Sequence, residues 1–320
     1  MLSVIIPAYN EEQCIKYAYT AIHSLLKENN IESEFIFVDD GSSDRTYEKI
    51  SELSGEAENI VGLHFSRNFG KESAISAGLA AVSGNCAVVI DCDLQHPPEK
   101  IIEMYRLWEE GYEIVEGIKR ERGQEKKMYR FGAKFFYSVI SRMAGFDMAN
   151  SSDFKLLDRK VVDVLNKMPE RGFFRAISYW VGYKKATVEY DVGERVDGES
   201  KWSTRGLIKY AFSNISSYST APMQTVTILG FVMLIISVIF GVWALIDKIA
   251  GRALEGMTTV IIITIFIGSI IMISLGIIGY YIARIYEEIK GRPKYIISST
   301  IKSKHKKQTI FAEEINCIRR

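Results

Sequence analysis

Two carboxylates and an amide, Asp91, Asp93 and Gln95, follow directly on the apolar run 86–90. A buried strand that ends in oxygen ligands can hold a hard cation against a phosphate. Side chains at i, i+2 and i+4 of a strand or its extension share a face, so the three converge while Cys92 and Leu94 turn elsewhere. Such a set suits Mg²⁺ or Mn²⁺, which reach a protein through one or two carboxylates and complete their shells with substrate phosphates and water. An isolated Asp-x-Asp is more often a solvated turn. The surrounding elements decide between the two readings.

Those elements alternate. Residues 3–7 read as a strand, and 9–12 lead into a helix with Ile15, Ala18, Ile22 and Leu25 on one face. A second strand, 34–38, ends at Asp39-Asp40-Gly41-Ser42-Ser43-Asp44, and a helix over 45–53 follows. Strands at 61–65 and 86–90 bracket a small-residue helix over 74–82, and a helix over 99–110 precedes a further strand at 112–117. This order predicts a parallel α/β sheet, whose ligands bind beyond the C-terminal ends of the strands. Residues 7–11, 39–44 and 91–95 all fall on that edge, which raises the acidic triplet from a turn to a candidate nucleotide and metal site.

The chain has 320 residues, 40 basic and 39 acidic, so a broad nucleic-acid-binding surface is not indicated. Its four cysteines show no metal or disulfide spacing, which fits a reducing compartment. The first apolar run is too short for a signal peptide. Much later, 225–246 and 257–282 are almost wholly apolar, each about 33 Å or more as a helix, and predict two transmembrane helices. Lys290, Arg292, Lys294, Lys302, Lys304, Lys306 and Lys307 then place the tail, and with it the N-terminal region, on the cytoplasmic side. The expected division is a catalytic domain 1–202, an interfacial amphipathic segment 203–224, the two membrane helices within 225–282, and a basic tail 283–320. The polar stretch 119–127 reads as mobile, and 126–143 as an amphipathic helix suited to a membrane surface.

Val4 to Glu11, Asp39 to Asp44, Arg67-Asn68-Phe69-Gly70-Lys71, Asp91 to Gln95, Asp153-Phe154-Lys155-Leu156, Arg195 and Gly198-Glu199-Ser200-Lys201-Trp202 occur in this order before the apolar helices. The set resembles the GT-A, family 2 glycosyltransferases, and within them the polyprenyl-phosphate enzymes similar to dolichol-phosphate mannose synthase and the bactoprenol glucosyltransferases. The resemblance implies a GT-A sheet domain with interfacial helices and a C-terminal two-helix membrane hairpin. It implies nucleotide and donor binding at Pro7, Tyr9, Glu11, Val38, Asp39, Asp40, Lys71, Asp91, Cys92, Asp93 and Gln95, with Asp91, Asp93 and Gln95 holding the metal. Arg195 and Lys201 match basic residues near the phosphates. Lys119 stands where relatives commonly have arginine, so Arg120 is expected to share its role. Asp153 matches the family's candidate base.

The implied reaction is inverting transfer of a hexose to a lipid monophosphate. That phosphate is already largely ionised near neutrality, its second pKa being about 6. Asp153 therefore reads either as a base or as an orienting group, or as a local ion pair with Lys155 or Arg159. Lys126, Lys127, Arg130 and Lys134 are candidate cations for the acceptor phosphate. The expected donor is UDP-glucose, ahead of UDP-galactose, UDP-N-acetylhexosamines and GDP-mannose; a homo-oligomer would be consistent with the family. A processive polysaccharide synthase and a catalytically silent membrane scaffold are the competing readings.

Overall fold

The structure is a computed structural model that describes residues 1–120, 152–168, 174–191 and 256–303, with single helical positions between 232 and 250. It contains β1 (Leu2–Ala8), α1 (Ile15–Glu28), β2 (Ser33–Asp39), α2 (Thr46–Glu56), β3 (Ile60–Phe65), α3 (Lys71–Ala80), β4 (Cys86–Val89), α4 (Glu99–Glu109) and β5 (Ile114–Lys119). Then come β6 (Lys155–Asp158), α5 (Arg159–Lys167), α6 (Phe174–Trp180), β7 (Lys185–Tyr190), α7 (Met257–Ile289) and β8 (Ile297–Lys302). Two compact units result, one of residues 1–201 with 293–320 and one of 202–292.

In the first unit the strand order is β7-β5-β6-β4-β1-β2-β3-β8. The pairs β1/β2, β1/β4, β2/β3 and β5/β7 are parallel, as the alternation of strands and helices predicts. Every residue of β1 is buried, the pattern of a central strand covered on both faces. Phe35 and Phe37 of β2 join Ile15, Ala18, Ile22 and Leu26 of α1 on one side, while Ile36 and Val38 meet Ala74 and Ile75 of α3 on the other.

Two strands run against the rest. β6 pairs antiparallel with both β4 and β5, and β8 pairs antiparallel with β3. Because β6 is reversed, its start lies beside the end of β4, with Val89 opposite Lys155. Residues 297–302, expected within a basic tail, instead complete the sheet edge. Their Ser299 hydroxyl donates to Tyr47 at 2.6 Å, and Tyr295 stacks on Phe65 at 5.1 Å.

In the second unit, α7 is long and apolar enough to cross a membrane: its window Phe266–Ala283 has a mean hydropathy of 2.0 and no buried residue. It runs seven residues past the expected end at 282. The first expected membrane helix, 225–246, and the interfacial segment 203–224 lie mostly or wholly outside the described residues.

Gly41 ties two loops together. Its φ is +66°, and a Cβ there would press on the Arg67 carbonyl carbon and come within 2.7 Å of the Asn68 nitrogen. Gly55 lies in α2 with open space around it. Gly41→Ala is therefore expected to lower stability by at least about 1–2 kcal/mol. Gly55→Ala should raise it by about 0.4–1 kcal/mol. Chemical denaturation of the two variants beside the wild type checks the opposite signs.

Candidate active site

The four parallel strands β1 to β4 end on one edge, and their loops are laced together there. The Asn10 amide donates to the Ser42 hydroxyl at 2.9 Å, the Ser43 amide to the Asn10 side chain at 2.9 Å, and the Glu11 amide to Thr46 Oγ1 at 2.8 Å. Asn10 adopts φ +56°, a conformation asparagine tolerates better than most residues. Asp40 carries the lacing on to the third loop, accepting from the Phe69 amide at 2.7 Å and the Gly70 amide at 2.9 Å. Burial raises its carboxyl, and those two amides pull it back only in part. Asp39 accepts from the Ser42 amide at 3.0 Å and lies 2.6 Å from His64 Nδ1.

Of the residues assigned to the nucleotide, Pro7 and Val38 are buried at strand ends. Asp39 and Asp40 spend hydrogen bonds on loop structure, and Tyr9 is exposed at the surface of the edge. Glu11 is pushed up by burial first, and then by the negative charges of Asp93, Asp44 and Asp91. The two acids of the triplet and Glu11 therefore belong to one acidic patch.

The triplet itself departs from the strand geometry expected for it. β4 stops at Val89, and the chain turns: the Leu94 amide donates to the Asp91 carbonyl at 3.3 Å, and the Gln95 amide to Asp93 Oδ1 at 3.1 Å. Alternation along an extended chain thus does not place these side chains. Leu94 sits at φ +51°, strained for a bulky residue, while its side chain packs against the core. The side chain of Cys92, another residue assigned to the donor, lies in the core, where burial drives the thiol well above its ordinary range. It supplies packing beneath the site.

Asp91 is joined to residues far away in sequence. Lys71, the first residue of α3, places Nζ 2.6 Å from Asp91 Oδ1 and 3.0 Å from Asp153 Oδ2. Arg175 of α6 grips Asp153 with two parallel bonds, Nε to Oδ1 at 2.8 Å and Nη2 to Oδ2 at 2.9 Å. Burial alone would raise the Asp153 carboxyl, but Arg175 and Lys71 outweigh it and hold the group well below the usual carboxylate range. Burial would lower Lys71, but Asp91 and Asp153 together raise it.

The expected local partners of Asp153 are engaged elsewhere. Lys155 is buried against Glu116 at 3.1 Å and donates to Ser178 Oγ at 2.8 Å, while Arg159 pairs with Asp163 at 2.8 Å. Glu116 also accepts from the Ser152 amide at 3.0 Å, which fixes the backbone just before Asp153.

Sequence reasoning missed Arg175, Glu72 and His96. A charged residue inside the apolar run Phe174-Arg175-Ala176-Ile177 was the available signal for the first. Glu72 accepts from the Phe174 amide at 2.8 Å, and burial, then the charge of Asp153, raises its carboxyl to about 7. His96 leans on Phe154 and Tyr190, and burial keeps its imidazole below the ordinary value. Its Nδ1 is buried with no hydrogen-bond partner among the described residues, 4.0 Å from Asp91.

Two observations test whether a divalent cation suits this edge. The Asp91 carboxylate already accepts a cation, the Lys71 ammonium, and an orphaned buried nitrogen lies beside it. Among the described residues no three or more His, Cys, Asp or Glu side chains converge as a metal centre. Asp91 and Asp93 thus form a two-carboxylate edge of hard oxygen donors, which fits Mg²⁺ or Mn²⁺ completed by substrate oxygens.

Lys119 ends β5 on the same edge of the sheet, and Arg120 pairs with Glu189 at 3.3 Å across exposed surface. Arg195, Lys201, Lys126, Lys127, Arg130 and Lys134 lie outside the described residues.

The family description "Glycosyl transferase family 2" matches residues 3–165. An uncharacterized glycosyltransferase of Synechocystis is 38% identical over 93% of this chain and 94% of its own length. The bactoprenol glucosyl transferase of Shigella phage SfV is 36% identical over 93% of this chain and 98% of its own length. A homologue in Escherichia coli, named a prophage bactoprenol glucosyl transferase homolog, is 36% identical over 92% and 98%. Among solved structures, glucosyl-3-phosphoglycerate synthase from Mycobacterium tuberculosis aligns at a TM-score of 0.49 and 20% identity, over 67% of this chain and 76% of that one.

The ion chain through Asp153 makes a pH prediction. A carboxyl held below its unfolded value near 3.9 contributes stability that is present above that pH and is lost as pH falls through the folded value. Asp153→Asn is therefore expected to be less stable than wild type by about 1–3 kcal/mol near pH 7. The gap should narrow below about pH 4. Thermal unfolding of both proteins between pH 3 and 8 reads this directly, and a gap independent of pH would count against the ion pairs.

Proposed function

Because the chain belongs to glycosyl transferase family 2, we propose that it transfers glucose from UDP-glucose to a polyprenyl phosphate at the cytoplasmic face of a membrane. The observation that carries the reading is the ion chain Asp91–Lys71–Asp153–Arg175, in which an acidic donor edge meets a cation-rich flank. The relatives named for bactoprenol glucosyl transfer support the acceptor class and the sugar. The apolar α7, followed by Lys290, Arg292 and Lys294, supports a membrane location with this end in the cytoplasm.

In this reaction a phosphate oxygen of the acceptor attacks the anomeric carbon from the face opposite the diphosphate. The bond from that carbon to the diphosphate oxygen breaks, its electron pair leaves with UDP, and the configuration inverts. The attacking phosphate carries its own negative charge near neutrality, its second pKa being about 6, so no strong base is required. Asp153, held ionised by Arg175 and Lys71, is a weak proton acceptor; we assign it an orienting role. Asp91 and Asp93, with Gln95, would hold Mg²⁺ or Mn²⁺, whose charge stabilises the departing diphosphate. Arg195 and Lys201 are assigned to the same leaving group as direct hydrogen-bond donors. The nucleotide is assigned to the laced loops from Pro7 to Glu11 and Asp39 to Asp44.

Membrane preparations incubated with a panel of nucleotide sugars, undecaprenyl phosphate and Mg²⁺ or Mn²⁺ test the reading, with products identified by mass spectrometry. One hexose per lipid phosphate from UDP-glucose is expected, lost on chelation of the metal and restored by adding it back. Transfer to no polyprenyl phosphate with any donor would overturn it, and a long glycan would identify a polysaccharide synthase instead. Asp93→Ala is expected to reduce turnover by about 100-fold or more while the protein still inserts into membranes. Full activity of that variant would remove Asp93 from the site.

A further inference from the structure

We infer that His96 recognises the sugar of the donor: its Nε2 accepts a hydrogen bond from a hydroxyl of the hexose that is transferred. The inference rests on the transfer from a nucleotide sugar proposed above and assigns a specificity-determining residue to it.

The side chain is unsatisfied. Nδ1 is buried without a hydrogen-bond partner, and Asp91 Oδ2 lies 4.0 Å from it, beyond hydrogen-bond reach. Nε2 makes no hydrogen bond among the described residues either, and it is the ring nitrogen that reaches the surface, where 14% of the side chain is exposed. A polar group left unpaired at a site calls for a ligand or a water to complete it. His23 Nδ1 is buried and unpaired as well, but that ring packs on Tyr19 and Phe35, with no carboxylate of the site around it.

The ring is fixed by packing. Phe154 tilts against it with centroids 5.1 Å apart, and Tyr190 meets it edge-on at 5.3 Å. These two rings are buried and lie 5.8 Å from each other. Gly117 of β5 makes room for the cradle, since a Cβ there would come within 2.5 Å of Phe154 Cδ1 and 3.2 Å of Tyr190 Cε1. Pro97 and Pro98 follow His96 directly and restrict the backbone on that side. An imidazole wedged by three other segments, yet hydrogen-bonded to none of them, is held ready for a ligand.

The surrounding charges decide which ligand. Asp91, Lys71, Asp93 and Asp153 all act on the ring, so it stands where the donor edge meets the Asp153 flank. Burial holds the imidazole below its ordinary value, and the ring is neutral at pH 7, with one N–H and one lone pair. Nδ1 is the nitrogen beside the Asp91 carboxylate, which favours the proton there and leaves the lone pair on Nε2. Such a nitrogen takes a hydroxyl proton. It repels the oxygens of a diphosphate, which offer acceptors only. A sugar hydroxyl is therefore the group on a nucleotide hexose that matches it at this edge.

The test uses the full-length protein in nanodiscs with Mn²⁺. Calorimetry gives Kd for UDP, for UDP-glucose and for the four UDP-deoxyglucoses that lack the 2-, 3-, 4- or 6-hydroxyl. In wild type, one deoxy donor should bind about fivefold more weakly than UDP-glucose. His96→Phe keeps a ring in the cradle without its nitrogens. It should lose about the same fivefold on UDP-glucose, hold UDP within about twofold, and bind that one deoxy donor as wild type does. His96→Gln carries an amide out to the position of Nε2 and should recover part of the loss, whereas His96→Asn reaches only as far as Nδ1 and should not. Four deoxy donors that all bind wild type as tightly as UDP-glucose would overturn the inference without recourse to any variant. So would an equal loss of UDP and UDP-glucose in His96→Phe, because the ring would then only support the loop. Weaker Mn²⁺ binding by His96→Phe with UDP present, read by electron paramagnetic resonance, would make the ring a metal ligand and overturn it too. A wild type that binds UDP but no nucleotide hexose would end the proposed function itself, whereas a wild type that binds UDP-glucose beside indifferent His96 variants ends only this inference.

Discussion

The bidentate clamp of Arg175 on Asp153, extended through Lys71 to Asp91, is the interaction on which the geometry of the site depends. A carboxylate as buried as Asp153 is costly unless cations and hydrogen bonds replace its water. Here both cations come from other elements, α3 and α6, and the fourth member stands after β4. Burying one charge therefore requires four elements to arrive at one place. Breaking any link leaves a buried charge under-compensated, which is why this cluster constrains the fold as well as the chemistry.

That requirement explains the one reversal within the central sheet. A parallel β6 would begin at the opposite edge and carry Asp153 away from Asp91. The antiparallel β6 starts where β4 ends, and the buried Lys155–Glu116 pair locks its first residue to β5. The edge strand β8 does comparable work on the far side of the sheet, where Ser299 meets Tyr47 and Tyr47 stacks on His64, itself bonded to Asp39. The loop after β2 is thus braced from behind by residues that follow the apolar helix in sequence.

Much of this was legible in the sequence, for identifiable reasons. Repeated strand and helix patterns gave the parallel core, and turn-rich acidic segments after apolar runs marked its ligand edge. Asp39, Asp40, Asp91 and Asp93 lie on that edge in the structure as well, at and beyond the ends of β2 and β4. The conformation after Ile90 was not legible, because alternation is a property of extended chain, and the hydrogen bonds from Leu94 and Gln95 turn the chain instead. Arg175 carried only a faint signal, a charge among apolar neighbours. β6 and β8 are short, four and six residues, and their strand character comes from the partners they pair with.

By itself the sequence determined the order of elements through β5, the apolar runs, the family and the acidic edge, because these depend on local composition and on spacing along the chain. Only the tertiary structure decided that Asp153 answers to Arg175 and Lys71 rather than to Lys155 or Arg159, and that β8 returns to the sheet. Those outcomes turn on strand direction and on which buried charge finds a partner. Both are settled by contacts between residues far apart in sequence, where no local pattern records the choice.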